Sequence, residues 1–480
     1  MGPARPFGEP RISQCLPSTD ALPNCTFLLV FTIWQPSCNP SFTFLPYSKT
    51  MDRRTFLKTT GGLAAGAALH PKILRTATSQ IKHIVVVMME NRSFDHFLGW
   101  LPNADGKQAG LTYEDVNGVS HPTHELAPDW TGCGFNDPDH SYAGGRVGVD
   151  GGLMDGFMKT STADEYAIGY YSEPDNQFFP RFARYFTTCD MYFPSILAPT
   201  FPNRIFQLCG QTDRLDDSVS LCFYRTIFDH CSEAGVSSRY YYGNVPFLTL
   251  FPIDAIFYAH PFSTFLSDCA KGILPAVSFV DPQFTLVLNT SNDNHPESDI
   301  RNGDAFVAQV FHAVATSPEW DSTVLVLNYD EWGRFFDHVP PPRALAPNKT
   351  DTDLVDGKAL LGCRCPCVVA SPWTVGNPSN PTVNHTVFDH TSVLKMIESV
   401  FNVKPLAARE TSSDVGNLLS VINFGTPQQA PVLPMPSPVT PQTICASSIG
   451  PTELARTDDE HRGFQRLEQA ARERGWPVYK

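Results

Sequence analysis

At 480 residues, with 42% hydrophobic and 18% charged residues, the chain has an ordinary globular composition and ample length to bury the core of one large α/β domain or of two or three smaller ones. A formal net charge of −14 disfavours nucleic acid and anionic membrane surfaces as partners, and no apolar run reaches the length of a membrane span. The 42 prolines and 34 phenylalanines favour ordered loops packed by aromatic rings over long helical arrays.

Residues 1–50 are Pro-rich, contain Cys15, Cys25 and Cys38, and read as an over-long, disordered N-terminal extension. Met51-Asp52-Arg53-Arg54-Thr55-Phe56-Leu57-Lys58 follows, with a weakly apolar Gly/Ala run from Gly61 to Leu69. This order resembles a twin-arginine export signal over residues 51–77, with Met51 as the true start and the periplasm or the exterior as destination. The alternative is a charged turn before a Gly/Ala-rich helix. The first 77 residues hold eight Lys and Arg against three Asp and Glu, so the exported remainder is more acidic than the whole.

Residues 78–425 read as the catalytic domain. Ile84 to Met89 is β-branched, unbroken and short, which predicts a strand buried on both faces. Polarity flips at Glu90 and Asn91, and ligands in open α/β sheets bind at the carboxyl ends of strands. Neighbours on a regular strand point to opposite faces, so both side chains serve one site only if the backbone turns there. The plainer alternative makes Glu90 a helix cap and Asn91 a turn residue. From Asp105 to Met158 no period is sustained, and a long loop laid over the sheet is expected, with His140 in the run Asn136-Asp137-Pro138-Asp139-His140.

Around Ala198-Pro199-Thr200-Phe201-Pro202-Asn203-Arg204, Pro199 stops a preceding helix and Pro202 suits a first turn, so Thr200 falls at or near an N-cap. Its hydroxyl would face the positive end of a helix, where a phosphate also binds, unless it is a plain cap. Ala276 to Val280 predicts a second buried strand, and Asn292-Asp293-Asn294-His295-Pro296 leads to a helix over 299–315. Val324 to Asn328 predicts a third strand, ending at Asp330 and Glu331 in the same arrangement as Glu90 and Asn91. Cys363, Cys365 and Cys367 alternate at strand spacing before a further strand at 367–370, suggesting that all three share one face, as small core residues rather than a soft-metal site. Asp389 caps a helix through Ile397, and residues 426–480 read as a Pro-rich spacer followed by an amphipathic helix at about 458–474.

Strands alternating with helices and long connections predict an α/β fold with a largely parallel sheet and helices on both faces. Glu90, Asn91, Asp330 and Glu331 offer hard oxygen ligands suited to a divalent cation: Ca²⁺, Mg²⁺, Mn²⁺, Fe²⁺ or Zn²⁺. Without one, the carboxylates would raise one another's pKa values. Threonine is a poor nucleophile unless activated, and His295 and His140 are suited to hydrogen-bonding phosphoryl oxygens or protonating a leaving alkoxide.

The runs 84–99, 198–204, 292–301, 328–342 and 388–394 resemble, in order, the motif set of the bacterial phosphoesterase family that includes phosphatidylcholine-type phospholipases C and a metal-dependent acid phosphatase. The resemblance implies an alkaline-phosphatase-like α/β/α sandwich with long loop insertions. It further implies metal ligation by Glu90, Asn91, Asp330 and Glu331, a phosphothreonine intermediate on Thr200, and action of His295 at the phosphoryl group; His140 matches less closely. A phosphate-ester substrate, with phospholipid one candidate, is implied, and a phosphomonoesterase or an inactive phosphoryl-binding protein are the alternatives. Asn294 stands where the family often has Asp, and Arg334 where a second Gly is usual, which places Arg334 at the rim of the site. The extra β-rich domains of several phospholipases C in the family have no counterpart in the spacer and helix at 426–480.

Overall fold

The computed structural model describes residues 78–160, 163–284, 291–296, 298–439 and 459–479. The expected extension and export signal, residues 1–77, lie outside them, as do residues 440–458 between the Pro-rich stretch and the last helix.

An eight-stranded sheet organises the chain. Its strands are β1 (His83–Met89), β2 (Thr187–Cys189), β3 (Ser238–Tyr242), β4 (Ala259–Pro261), β5 (Val277–Val280), β6 (Thr323–Tyr329), β7 (Cys367–Ala370) and β8 (Val383–Asn384), in the spatial order β8-β2-β7-β6-β1-β5-β3-β4. All neighbours are parallel except those of β7, which runs antiparallel to both β6 and β2. Every residue of β1 and β6 is buried, as a central strand covered on both faces requires.

The two faces of β1 feed different cores. Val85, Val87 and Met89 pack with α3 (Phe179–Tyr185), α6 (Phe262–Lys271) and α7 (Ile300–Ala315), after α1 (Phe94–Leu98) and α2 (Tyr142–Val149) in the chain. Ile84 and Val86 pack with α4 (Thr200–Cys209), α5 (Ile227–Glu233), α8 (His390–Phe401) and α9 (Asp459–Glu473). The result is a three-layer α/β/α sandwich. The helix that follows the spacer belongs to this second core: Phe464 stacks on Phe284 at 4.3 Å and meets Phe201 edge-on at 5.5 Å. None of the helices among the described residues is long and apolar enough to cross a membrane.

Two expectations change. Cys363 and Cys365 lie in one core layer and Cys367 in the other, because β7 begins only at Cys367 and the strand period does not extend upstream. All three are buried. The loop region from 105 to 158 is also less bare than its composition suggests, since it contains α2 and two short hairpin strands at 112–114 and 120–122.

Behind α4, helix α8 buries Glu398 beside Glu410 and Lys395. Burial, reinforced by the Glu410 charge and only partly offset by Lys395, pushes the Glu398 carboxyl up to about 8. The folded protein therefore keeps a proton that the unfolded chain releases near the ordinary value of 4.5, so this group's contribution to stability declines as pH rises from about 4.5 to about 8. Glu398→Gln is expected to leave the melting temperature almost unchanged at pH 5 and to raise it by a few degrees at pH 8. Thermal denaturation at the two pH values checks this, and an equal shift at both would remove the carboxyl as the cause.

Candidate active site

Parallel pairing of β1 with β6 runs in register from His83 opposite Thr323 to Met89 opposite Tyr329. Continued by one residue, that register sets Glu90 beside Asp330. The backbone turns at once, with Asn91 in the left-handed region at φ 55°, which lets adjacent residues face one site. Asn91 N donates to Asp330 Oδ1 at 3.1 Å, and Glu331 N to the same oxygen at 2.7 Å. Gly333 has φ 62°, and a Cβ on it would stand 2.2 Å from the Asn91 carbonyl oxygen, so only glycine fits this close approach of two loops.

Thr200 is the first residue of α4, and Pro199 is the N-cap. Its hydroxyl does not cap the helix. Thr200 Oγ1 donates to Glu90 Oε2 and Asn91 Oδ1, each at 3.2 Å. The helix end itself is served by Asp217, whose Oδ1 accepts from Phe201 N at 2.7 Å. The backbone position anticipated for a phosphate is thus held by a carboxylate. Thr200 and Glu90 are both fully buried.

One turn along α4 lies a residue that motif reading passed over. Arg204 pairs with Glu90, with Asp281 Oδ1 at 3.0 Å and with Asp330 Oδ2 at 3.4 Å, and donates to the Met88 carbonyl at 3.2 Å. Asp281 in turn accepts from the Tyr240 hydroxyl. Burial drives the Glu90 carboxyl well above its ordinary pKa; Arg204 opposes this, while the Asp330 and Asp293 charges add to it. Asp281 is raised by burial against the same guanidinium. Further out, His390 Nε2 meets the Asp330 carbonyl at 2.8 Å and its Nδ1 the Tyr192 hydroxyl at 3.0 Å, and burial lowers His390 to about 4.

The two predicted histidines come together on a neighbouring pair of loops. His140 and His295 rings are perpendicular with centroids 6.3 Å apart, and Asp137 Oδ2 lies 3.9 Å from His295 Nε2. Their loop is tied to the strand end, since His295 N donates to Asp293 Oδ1 at 3.1 Å and the Asp293 carbonyl accepts from Glu90 N at 2.8 Å.

The proposed oxygen ligands are gathered only in part. Glu90, Asn91 and Asp330 meet around Thr200 and Arg204, whereas Glu331 Oε2 accepts from Gly333 N at 2.9 Å. Glu90, Asp330 and Glu331 are not among the groups of three acidic, His or Cys side chains whose ligand atoms lie within 4.8 Å of one another. The charge balance nevertheless fits a cation: Glu90, Asp281 and Asp330 are buried at adjoining strand ends around the single guanidinium of Arg204, with Glu331 buried next to Asp330, and among the described residues Asp330 Oδ2 accepts no hydrogen bond. Excess buried carboxylate is relieved by a metal or by protonation.

The departures at Asn294 and Arg334 prove structural. Asn294 Nδ2 donates to the Tyr329 hydroxyl at 2.8 Å. Arg334 turns away from the rim and is buried, donating to the Asp139 and Gly156 carbonyls at 3.1 and 3.0 Å and so pinning the long loop to the sheet.

Residues 81–404 match the model of the Phosphoesterase family, and residues 50–70 match that of the twin-arginine translocation pathway signal sequence. Among relatives, non-specific phospholipase C6 of Arabidopsis thaliana is 31% identical over 359 residues, covering 68% of this chain and 69% of that one. Phospholipase C A of Mycobacterium tuberculosis is 30% identical over 493 residues, covering 84% and 92%. A solved protein of the alkaline phosphatase superfamily from Vibrio parahaemolyticus aligns over 68% of this chain and 67% of its own, at 11% identity and a TM-score of 0.36, too distant to bear on the site.

Replacing Arg204 tests the charge balance directly. Arg204→Met is expected to cost about 3–5 kcal/mol of folding stability at neutral pH, because it strands buried carboxylates, and Arg204→Lys should recover part of the loss. Urea denaturation of the three proteins reads this out, and a Met variant as stable as the parent would mean that the carboxylates are compensated by something else.

Proposed function

The chain belongs to the Phosphoesterase family, and from that premise we propose that it is an exported, metal-dependent phosphoesterase of phospholipase C type that hydrolyses its substrate through a phosphothreonine intermediate on Thr200. It is a hydrolase of phosphoric ester bonds, and its signal sequence directs it through the twin-arginine machinery to the periplasm or the exterior. The observation that carries the proposal is the Thr200 hydroxyl, buried at a helix start yet shared between Glu90 and Asn91 rather than spent on capping.

Glu90, Asn91, Asp330 and Glu331 would hold a divalent cation, which supplies positive charge to polarise the phosphoryl group. Thr200 Oγ1 attacks phosphorus and passes its proton to Glu90 Oε2, the carboxylate oxygen to which it already donates. The bond from phosphorus to the ester oxygen breaks, and that oxygen leaves as an alcohol after taking a proton from His295 or His140 in its imidazolium form. Water then attacks phosphorus and gives a proton to the imidazole that had protonated the alcohol, the bond to Thr200 Oγ1 breaks, and Thr200 regains its proton from Glu90 as the phosphorylated headgroup departs. Arg204 takes no part in bond making; it keeps Glu90 oriented and limits the rise of its pKa. The names of the plant and mycobacterial relatives favour a phospholipid diester as substrate.

Thr200→Ala is expected to lower turnover about a thousandfold or more, while Thr200→Ser keeps measurable activity because a hydroxyl survives. Enzyme quenched during turnover of a choline phosphodiester should carry phosphate on Thr200 by mass spectrometry. Near-parental turnover in the Ala variant would transfer the attack to water. Separately, Glu90→Gln and Asp330→Asn should each lose most bound metal and slow turnover by orders of magnitude; full metal occupancy by elemental analysis in both would dispose of the oxygen site.

A further inference from the structure

The short helix Pro252–Tyr258, which joins β3 to β4, has its amphipathic faces reversed. Asp254 and Ala255 are its buried residues, whereas Ile253, Ile256 and Phe257 are 69%, 66% and 70% exposed. Spaced i, i+3 and i+4, these three large side chains share one face. That face meets solvent, although a surface helix ordinarily turns its apolar stripe to the core. Asp254 is kept inside by a specific partner, since its Oδ2 accepts from the Thr226 hydroxyl at 2.7 Å. The outward setting of the apolar face is therefore fixed by the fold.

Phe223 extends the same patch. Residues 222–228 run alongside 250–258: Cys222 N donates to the Leu250 carbonyl at 2.9 Å, Thr226 bonds Asp254, and Phe228 stacks on Tyr258 with ring centroids 5.1 Å apart. Phe223 falls between the first two of these ties and is 86% exposed. Together the four side chains show roughly 500 Å² of apolar surface, at the upper end of what a monomer ordinarily leaves in water.

The patch is joined to the site. β3 runs parallel to β5 and β1 and ends at Tyr242 on the sheet edge that carries Glu90, Asp281 and Asp330. β4 begins opposite Tyr240, so the helix between the two strands stays near that edge. The turn just before it holds Phe247, whose ring meets Phe201 edge-on at 5.1 Å and lies 5.9 Å from the Arg204 guanidinium. The loop that leads to Phe223 supplies Asp217, the acceptor at the start of α4. Both segments that expose the patch thus also buttress the helix carrying Thr200.

We propose that Phe223, Ile253, Ile256 and Phe257 form a surface that docks on a zwitterionic phospholipid layer and brings the site to substrate held there. This rests on the reading of the substrate as a phospholipid diester and deepens it. Charge selects the lipid. The basic side chain beside the patch, Arg225, is taken by Asp229 and Glu233 at 3.8 and 2.8 Å, and the chain as a whole carries −14. Electrostatics therefore works against an anionic layer, and the force left is insertion of aliphatic and aromatic side chains at the acyl boundary. Area selects against a second copy of the chain, since a stable protein interface buries about 800 Å² on each partner, more than this patch offers.

The test is co-sedimentation of the exported protein with phosphatidylcholine vesicles, alongside turnover of a soluble choline phosphodiester. The parent is expected to bind these vesicles, and to bind phosphatidylglycerol vesicles more weakly. Ile253→Ser and Phe257→Ser should each lower the vesicle partition constant about tenfold or more, and together about a hundredfold, with melting temperature and turnover of the soluble diester unchanged. No vesicle binding by the parent, equal binding by parent and double variant, or tighter binding of the parent to phosphatidylglycerol would overturn the proposal. So would a parent dimer in sedimentation velocity that the same two changes dissociate. Should the serine variants fail to fold, Phe257→Trp decides: added fluorescence quenching by bromine-labelled phosphatidylcholine supports insertion at residue 257, and its absence removes it. Failure of the phosphoesterase reading shows separately, as no turnover of the soluble diester by a parent that still docks on vesicles.

Discussion

The Arg204 guanidinium is the interaction on which the centre of this molecule depends. It is held between Glu90 from the end of β1, Asp330 from the end of β6 and Asp281 from the end of β5. Three adjacent parallel strands thus deliver carboxylates to one point, and a single helix residue answers them. Burial of that many like charges without a counter-ion would be prohibitive. The same contact fixes the rotation of α4 about its axis, because Arg204 lies one turn from Thr200 and the two side chains reach opposite oxygens of the same Glu90 carboxylate. The helix that carries the hydroxyl is therefore positioned by charge as much as by the aromatic packing of Phe201 on Phe247 and Phe464.

Much of this framework is legible in the residues alone. The apolar runs at 84–89 and 324–327 are strands because each is too short for an ordinary helix yet is apolar at every position, and the abrupt change to Glu90-Asn91 and Asp330-Glu331 marks their ends. The pairing of these ends follows from register, which a single sequence does not state. Arg204 was visible only as the last residue of a motif, since its partners lie 114, 77 and 126 residues away in sequence. A stricter use of the strand-end rule would have added Asp281, which closes a buried strand as abruptly as Asp330 does. Asp137 was also within reach, three residues before His140 in the same run, but a carboxylate in a Pro-rich loop reads as a turn former.

Other differences have local causes. Thr200 has the sequence context of a cap, but Pro199 occupies that position and Asp217, seventeen residues on, supplies the acceptor. Arg334 stands beside the acidic pair in sequence, yet φ 52° sends its side chain to the carbonyls of 139 and 156, away from the carboxylates. Gly333 and Arg334 both take left-handed backbone; the first is demanded by contact with Asn91, and the second carries the strain that lets a buried guanidinium hold the long loop.

How a phosphate anion enters such an acidic site is the remaining physical question. The cations and dipoles nearest Thr200 are already engaged: Arg204 faces three carboxylates, and the N-terminus of α4 donates to Asp217. Arg92, at the start of the turn after Asn91, donates to the Asn294 carbonyl at 2.7 Å and lies over the Phe335 ring at 4.7 Å, so it serves the fold. An anion brought to Thr200 would therefore meet Glu90 and Asp330, whose charge exceeds what Arg204 alone offsets, unless positive charge arrives with it or before it. Close to Thr200, the protein's own side chains left to answer the phosphate are the two imidazoles of His140 and His295, which face each other on neighbouring loops.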